Sequence, residues 1–228
     1  YGTSEDADLR AINIRQQGVR TQFDVQFIGS DELIPVTLNL PGEHNVLNAL
    51  AAIAVARELG VSTADIQVAL EEFQGIGRRF QQYGELPVAG GQVLMVDDYG
   101  HHPREVDATI KAIRQGWPQR RLVTVFQPHR YTRTRDLFED FTICLSETDV
   151  LVLLDVYAAG ETPIAGADGR ALARAIRNRG QVDPVFVEDI NDVPQALSGV
   201  IQEGDIVLTL GAGNVGAVAA GLKEALKA

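Results

Sequence analysis

The segment Asp97-Asp98-Tyr99-Gly100-His101-His102-Pro103 gathers two carboxylates, a phenol and two imidazoles into one short stretch. Titratable groups crowd together in this way at clefts where protons move or polar ligands are held. Asp and His also serve as metal ligands, although this spacing matches no zinc pattern, and no residue is assigned to a metal. The plain alternative is an Asp cap with surface histidines beside Pro103, a residue suited to the first position of a helix. A second segment, Gln127-Pro128-His129-Arg130-Tyr131-Thr132-Arg133-Thr134-Arg135-Asp136, places three arginines within six residues. Arg130 and Arg133 are three apart and on a helix share a face. Guanidinium forks grip carboxylate or phosphate at two points, and a helix N-terminus adds positive partial charge. The alternative is a solvated basic patch paired with Asp136 and Glu139.

Two further segments carry weaker signals. In Gly42-Glu43-His44-Asn45-Val46-Leu47-Asn48, positions 44, 45 and 48 share a helical face, and Asn amides offer the donor and acceptor that a purine edge needs. Simple capping by Asn45 explains the same residues. Gly211-Ala212-Gly213-Asn214-Val215-Gly216 fits the dinucleotide fingerprint GxGxxG. The acidic ribose partner should follow about 20 residues later, yet the chain ends at Ala228, so the glycines are expected to serve close helix–strand packing instead. No GxxxxGK[ST] segment occurs, and a phosphate loop of that kind is expected outside this chain.

These segments need elements to position them. Val19–Phe27 alternates, with Val19, Thr21, Phe23, Val25 and Phe27 on one face, and Leu33–Leu40 returns after a turn, so a hairpin is predicted. A helix follows from His44 to Leu59 with Leu47, Leu50, Ala51 and Ala54 as its stripe. Ser62 or Thr63 caps a second helix running to about Phe73, and Gly75-Ile76-Gly77 reads as a hinge. Beyond it, apolar strands at Val93–Val96, Leu122–Phe126, Val150–Leu154, Val185–Val187 and Ile206–Leu210 alternate with helices near 103–115, 133–146, 169–179, 193–201 and 214–226. That alternation predicts an α/β fold with a Rossmann-like, mostly parallel sheet, preceded by a smaller mixed piece of hairpin and helices, with the boundary near Gly77. In such sheets ligands bind beyond the carboxyl ends of the strands, where the polar segments fall.

Composition narrows the function. The 228 residues carry 20 Lys+Arg against 31 Asp+Glu, a net charge of −11, which argues against a nucleic-acid backbone as partner. The longest apolar run, about Ala49–Ala56, falls far short of the ~20 residues of a membrane span, and no membrane partner is expected. The single cysteine, Cys144, fits a reducing cytoplasm. The chain opens at Tyr1 in polar sequence, so a piece of a longer protein is expected.

Taken in order, GEHNVLN, GIGRRF, DDYGHHP, FQPHRYTRTR and the glycine segment resemble the Mur ligases over nearly the whole chain. The resemblance implies that residues 1–77 are the C-terminal part of a central ATP-binding domain and 78–228 the Rossmann-like C-terminal domain. The P-loop and the main Mg2+ ligands would then lie outside this chain. It implies an ATP-dependent ligase of peptidoglycan synthesis, in which a substrate carboxylate is phosphorylated, an amine attacks the acyl phosphate, and phosphate leaves. The histidine and arginine segments resemble members that join L-alanine to UDP-N-acetylmuramate. By motif, His44, Asn45 and Asn48 would hold adenine, Arg79 the ATP phosphates and Asp98 the ribose. Tyr99, His101, Arg130 and Arg133 would line the amino-acid pocket. His101, whose unperturbed pKa is about 6.5, is the expected acceptor of the ammonium proton. Rival readings are a ligase that recycles an intact tripeptide onto the same nucleotide sugar, a catalytically silent nucleotide or amino-acid binding module, and a dehydrogenase.

Overall fold

A computed structural model describes residues 1–88 and 90–225, with side chains described through Leu222. Contacts divide the chain into two units, Tyr1–Gly75 with Lys111–Pro118, and Ile76–Ile110 with Gln119–Ala228. In the first unit, β1 (Leu9–Gln17), β2 (Arg20–Phe27) and β3 (Leu33–Leu38) form an antiparallel sheet in that order. Alternation places Thr21, Phe23, Val25, Val36 and Leu38 in the interior, as the hairpin pattern predicts. The third strand, β1, escaped that pattern. A register shift between Ile12 and Arg15, with Asn13 at φ 53°, inserts a bulge that interrupts its alternation.

Helices α1 (Glu43–Glu58) and α2 (Thr63–Glu72) complete this unit. Ser62 caps α2 by accepting the Asp65 N–H, as predicted. On α1 the buried stripe is Val46, Ala49, Leu50 and Ile53, not Leu47, Leu50, Ala51 and Ala54. From Ala49 to Ala56 the helix is apolar all round, so periodicity alone does not select its inner face. Those four side chains join Phe23, Val25, Val36 and Leu38 in one core.

The second unit is a six-stranded sheet in the order β4-β5-β9-β6-β7-β8. Its strands are β4 (Gln81–Val88), β5 (Gly91–Asp98), β6 (Leu122–Phe126), β7 (Val150–Leu154), β8 (Val185–Val187) and β9 (Ile206–Leu210). All neighbours are parallel except β4, which pairs antiparallel with β5. The unpredicted β4 is an edge strand whose Gly84 and Pro87 weaken the strand signal and whose register shifts between Gln82 and Gly84. Five helices connect these strands or follow the last of them: α3 (Pro103–Gly116, divided between the units), α5 (Phe138–Leu145), α6 (Gly169–Arg179), α7 (Val193–Ser198) and α8 (Val215–Ala225). A further short helix, α4 (Tyr131–Asp136), precedes α5. The single helix expected over 133–146 is thus two, broken at Leu137, where φ is −117° and ψ 26°. The expected end of the last helix at Leu226 lies outside the described residues.

Burial on both faces explains the continuous apolar strands. One face joins Val93, Met95, Val123, Val125, Val152 and Val207 to Val193, Leu197, Val215 and Leu222. On the other face Phe126 packs against Phe141 with ring centroids 5.5 Å apart. Register then aligns the site. Asp97 stands beside Thr209, and Asp98 and Phe126 both stand beside Leu210, so the segments after β5, β6 and β9 leave the same edge of the sheet. Among the described residues no helix is long and apolar enough to cross a membrane.

Candidate functional site

At that edge the side chains fall into a closed corner and an open rim, both within the second unit. The corner is built around Arg78. Its Nε donates to Asp97 Oδ2 at 2.8 Å and its Nη2 to the Gly211 carbonyl at 2.6 Å. The guanidinium lies 5.1 Å from the Tyr99 ring centroid. Asp97 is 0% exposed, and its other oxygen accepts the Thr209 hydroxyl at 2.5 Å. Buried charge is tolerated when it is paired and hydrogen-bonded in this way. Arg78 and Phe80 take left-handed backbone at φ 59° and 49°, strain that the corner's contacts hold in place.

Of the glycines of the 211–216 segment, Gly211 lies where the chain after β6 meets α8. A Cβ on it would fall 2.7 Å from the Gln127 carbonyl oxygen and 3.2 Å from Val215 Cγ1, as the expected close packing requires, while Gly216 makes room in this corner and Gly213 on the rim. A Cβ on Gly216 would lie 2.5 Å from the Arg78 guanidinium carbon, and one on Gly213 would collide with Gln127 Oε1 and the Tyr157 side chain. The dinucleotide-like spacing therefore makes room for side chains arriving from other strands. Gln127 ties the segment down, donating to Asn214 Oδ1 at 2.8 Å and accepting the Val215 N–H at 3.1 Å.

Asp98 borders the corner and is 6% exposed. Its oxygens accept the backbone N–H of Phe80 at 2.8 Å and of Gly100 at 2.7 Å. Burial pushes its carboxyl above the usual range despite those two bonds and the Arg79 charge. Each oxygen retains a second lone-pair position. Arg79 is exposed, 4.0 Å from Glu105 and 5.8 Å over the Tyr99 ring.

The open rim is a chain of rings. Tyr99 meets His101 edge-on at 5.2 Å, and His101 meets His129 edge-on at 5.7 Å. His129 in turn stacks on Tyr157 at 5.6 Å with planes 9° apart. Glu105, in the first turn of α3, accepts the backbone N–H of both His101 and His102 at 3.0 Å, and His101 Nδ1 lies 3.0 Å from the Tyr99 carbonyl and 3.4 Å from Glu105 Oε2. Burial works to raise the Glu105 carboxyl, but those N–H bonds and the His101 and Arg79 charges outweigh it and hold the group below its usual range.

Arg133 reaches back along α4, with Nη1 3.4 Å from His129 Nδ1 and 3.3 Å from the His129 carbonyl. Arg130 is not on the helix with it. It is the N-cap residue, at φ 73°, so the expected shared helical face does not exist. A bend secured by Arg130 N–H to the Tyr157 carbonyl and Tyr157 N–H to the Pro128 carbonyl sets its direction. Nor is the N-terminus of α4 open to a ligand, because Glu161 accepts the Thr132 N–H at 3.0 Å and its hydroxyl at 2.7 Å. Both arginines nevertheless act on one ring: burial first, then the charges of Arg133, His101 and Arg130, hold the His129 imidazole below its ordinary pKa. A groove of about 450 Å³ opens beside Tyr157, lined by Gln127, Asp155, Glu188, Asp189, Ile190 and Asn214 among others.

The structure thus gathers Arg79, Asp98, Tyr99, His101, Arg130 and Arg133 at one sheet edge. His44, Asn45 and Asn48 belong to α1 of the first unit. Asn45 Nδ2 donates to the Pro41 carbonyl at 2.8 Å, and Asn48 is exposed. The helix cap is Gly42 at φ 91°, not Asn45, and a Cβ on Gly42 would lie 2.8 Å from the His44 ring. Asp97 and His129 stood in the segments singled out above but carried no assigned role, and neither did Arg78, Glu105 and Tyr157. Tyr157 follows β7, so the rule that ligands sit beyond strand ends could have found it. Among the described residues no group of three or more His, Cys, Asp or Glu is arranged to hold a metal.

Residues 78–213 match the Mur ligase, glutamate ligase domain, and residues 1–56 the Mur ligase middle domain. Among solved structures, UDP-N-acetylmuramate-alanine ligase MurC from Thermotoga maritima is 26% identical with a TM-score of 0.79, covering 97% of this chain and 46% of that one. The murein peptide ligase Mpl from Psychrobacter arcticus is 22% identical, TM-score 0.61, covering 99% and 45%. MurF from Thermotoga maritima in complex with ADP is 20% identical, TM-score 0.70, covering 98% and 48%. The last two show likeness of fold alone, and the chain spans about half the length of each of these proteins. The interacting side chains of the corner and the rim stand within the matched 78–213 segment, and on that match the chain belongs to the Mur ligase family.

Proposed function

We propose that this chain supplies the amino-acid side of an ATP-dependent ligase that joins L-alanine to UDP-N-acetylmuramate through an acyl phosphate in peptidoglycan synthesis. In this reading residues 1–77 are the tail of the central ATP-binding domain and 78–228 the C-terminal domain. The observation that carries it is the rim, where Arg133 touches and Arg130 acts on His129, whose ring lies 5.7 Å from that of a half-buried imidazole, His101, whose Nδ1 is already held. An α-amino acid needs its carboxylate fixed while its amine is freed of a proton. The arginines grip the carboxylate without competing for the amine, and positioning of this kind lowers the barrier by removing translational and rotational freedom before reaction. His101 takes the ammonium proton: an amine N–H bond breaks, an imidazole N–H bond forms, and the new imidazolium is balanced by Glu105. Tyr99 closes the side of the pocket.

ATP is the second substrate. His44, Asn45 and Asn48 hold adenine, Asp98 the ribose through its remaining lone pairs, and exposed Arg79 the phosphates. In the intact ligase, Arg130→Lys is expected to raise KM for L-alanine about tenfold or more and to leave KM for ATP within about twofold. Equal damage to both constants overturns the clamp. The groove beside Tyr157 favours one second reading, a peptide in place of L-alanine as the amine. Competition between L-alanine and the tripeptide for one ligase separates the two, and preference for the tripeptide overturns the L-alanine assignment.

A further inference from the structure

The rim contains two imidazoles 5.7 Å apart, and a proton leaving an amine there would find two bases unless the structure chooses between them. The contacts of each ring do choose. A guanidinium carries only donors. Arg133 Nη1 faces His129 Nδ1 at 3.4 Å, so that nitrogen presents its lone pair and the ring's proton sits on Nε2. His101 meets the opposite chemistry. The Tyr99 carbonyl, 3.0 Å from its Nδ1, only accepts, and so does the ionised Glu105 carboxylate at 3.4 Å. Nδ1 of His101 must donate, which leaves the lone pair on Nε2.

We propose that Arg133 and Glu105 hold the two rings as opposite tautomers, making His101 Nε2 the single proton acceptor of the rim and His129 a positioning residue that stays neutral. The inference rests on the reading of this rim as the amino-acid pocket. The surroundings of His129 reinforce it. Burial, Arg133, His101 and Arg130 all disfavour its charged form, against one opposing carboxylate, Glu161, while the Tyr157 ring stacked on it contributes no positive charge. Once His101 carries the proton, its charge further opposes a second one on His129. The rim therefore takes up one proton, at one atom. His129 keeps the Arg133 guanidinium in place without cancelling the positive charge that a carboxylate would need.

Two-bond nitrogen–proton correlation spectra of the 15N-labelled 228-residue chain read this directly, with His101→Gln and His129→Gln assigning the signals. Above the titration range, His129 is expected to show an unprotonated Nδ1 and a protonated Nε2, and His101 the reverse. Arg133→Ala is expected to spread the His129 proton over both nitrogens and to shift its titration upward. A protonated His129 Nδ1 in the unaltered chain, or a His129 titration that Arg133→Ala leaves in place, overturns the proposal. Neither readout needs substrate. A chain with these tautomers whose intact ligase rejects L-alanine would count against the proposed substrate and leave the tautomer pair standing.

Discussion

Two guanidinium groups stand at the same sheet edge with partners of different charge. Arg78 binds a carboxylate that is 0% exposed, a backbone carbonyl 133 positions away and an aromatic face. Arg133 touches an imidazole that its own charge helps keep neutral, and a carbonyl of the preceding turn. In the corner the positive charge is neutralised inside the fold, so its work is architectural. On the rim the positive charge is left uncompensated by its contacts, which is the condition under which an anionic ligand gains most from approaching. Arginine count alone does not distinguish these cases. The partner's charge and burial do.

The corner carries the largest expected loss. Arg78→Ala leaves Asp97 buried without its cation and is expected to lower the unfolding free energy by about 3 kcal/mol, measured by urea denaturation. A loss below about 1 kcal/mol would mean the pair does not hold the corner. Gly216→Ala, which drives a methyl into the same guanidinium, is expected to cost about 1–3 kcal/mol. Its cost should largely vanish in the double variant with Arg78→Ala, and additive losses would place the glycine's role elsewhere.

On the rim the expected order of effects reverses. Arg133→Ala should change stability by no more than about 0.5 kcal/mol. It should nevertheless raise KM for L-alanine in the intact ligase at least tenfold, about 1.4 kcal/mol. A large stability loss without a change in KM would make Arg133 another Arg78. The smallest effect concerns pH. The Glu105 carboxyl lies below its unfolded value, so its stabilising contribution is complete above the ordinary carboxylate range and is lost as pH falls through its lower folded value. Asp98, held above its unfolded value, acts in the opposite sense, costing stability as pH rises through the ordinary range toward its raised one. Glu105→Gln should therefore flatten the acid limb of a stability–pH curve, and an unchanged limb would remove Glu105 from it.

Legibility differed by element for physical reasons. The inner strands were readable because burial on both faces demands unbroken apolar runs such as Leu122–Phe126 and Ile206–Leu210. The edge strand β4 and the bulged β1 were not, because an extra residue or a glycine erases the period of two. On α1 every position from Ala49 to Ala56 is apolar, so the inner stripe was set by what packs on it. Of the site, the polar segments after β5 and β6 announced themselves by composition, while Tyr157, in a sparser segment after β7, did not.

Residue types and order determined that Asp, His and Arg leave the ends of parallel strands, because the apolar runs allow no other placement. Which arginine of the adjacent pair at 78 and 79 is locked, and which imidazole faces a donor and which an acceptor, was decided only in three dimensions. Those outcomes depend on partners up to 133 positions distant, brought together by the β5–β9–β6 register, and no local pattern encodes a neighbour that the chain meets only after the sheet has formed.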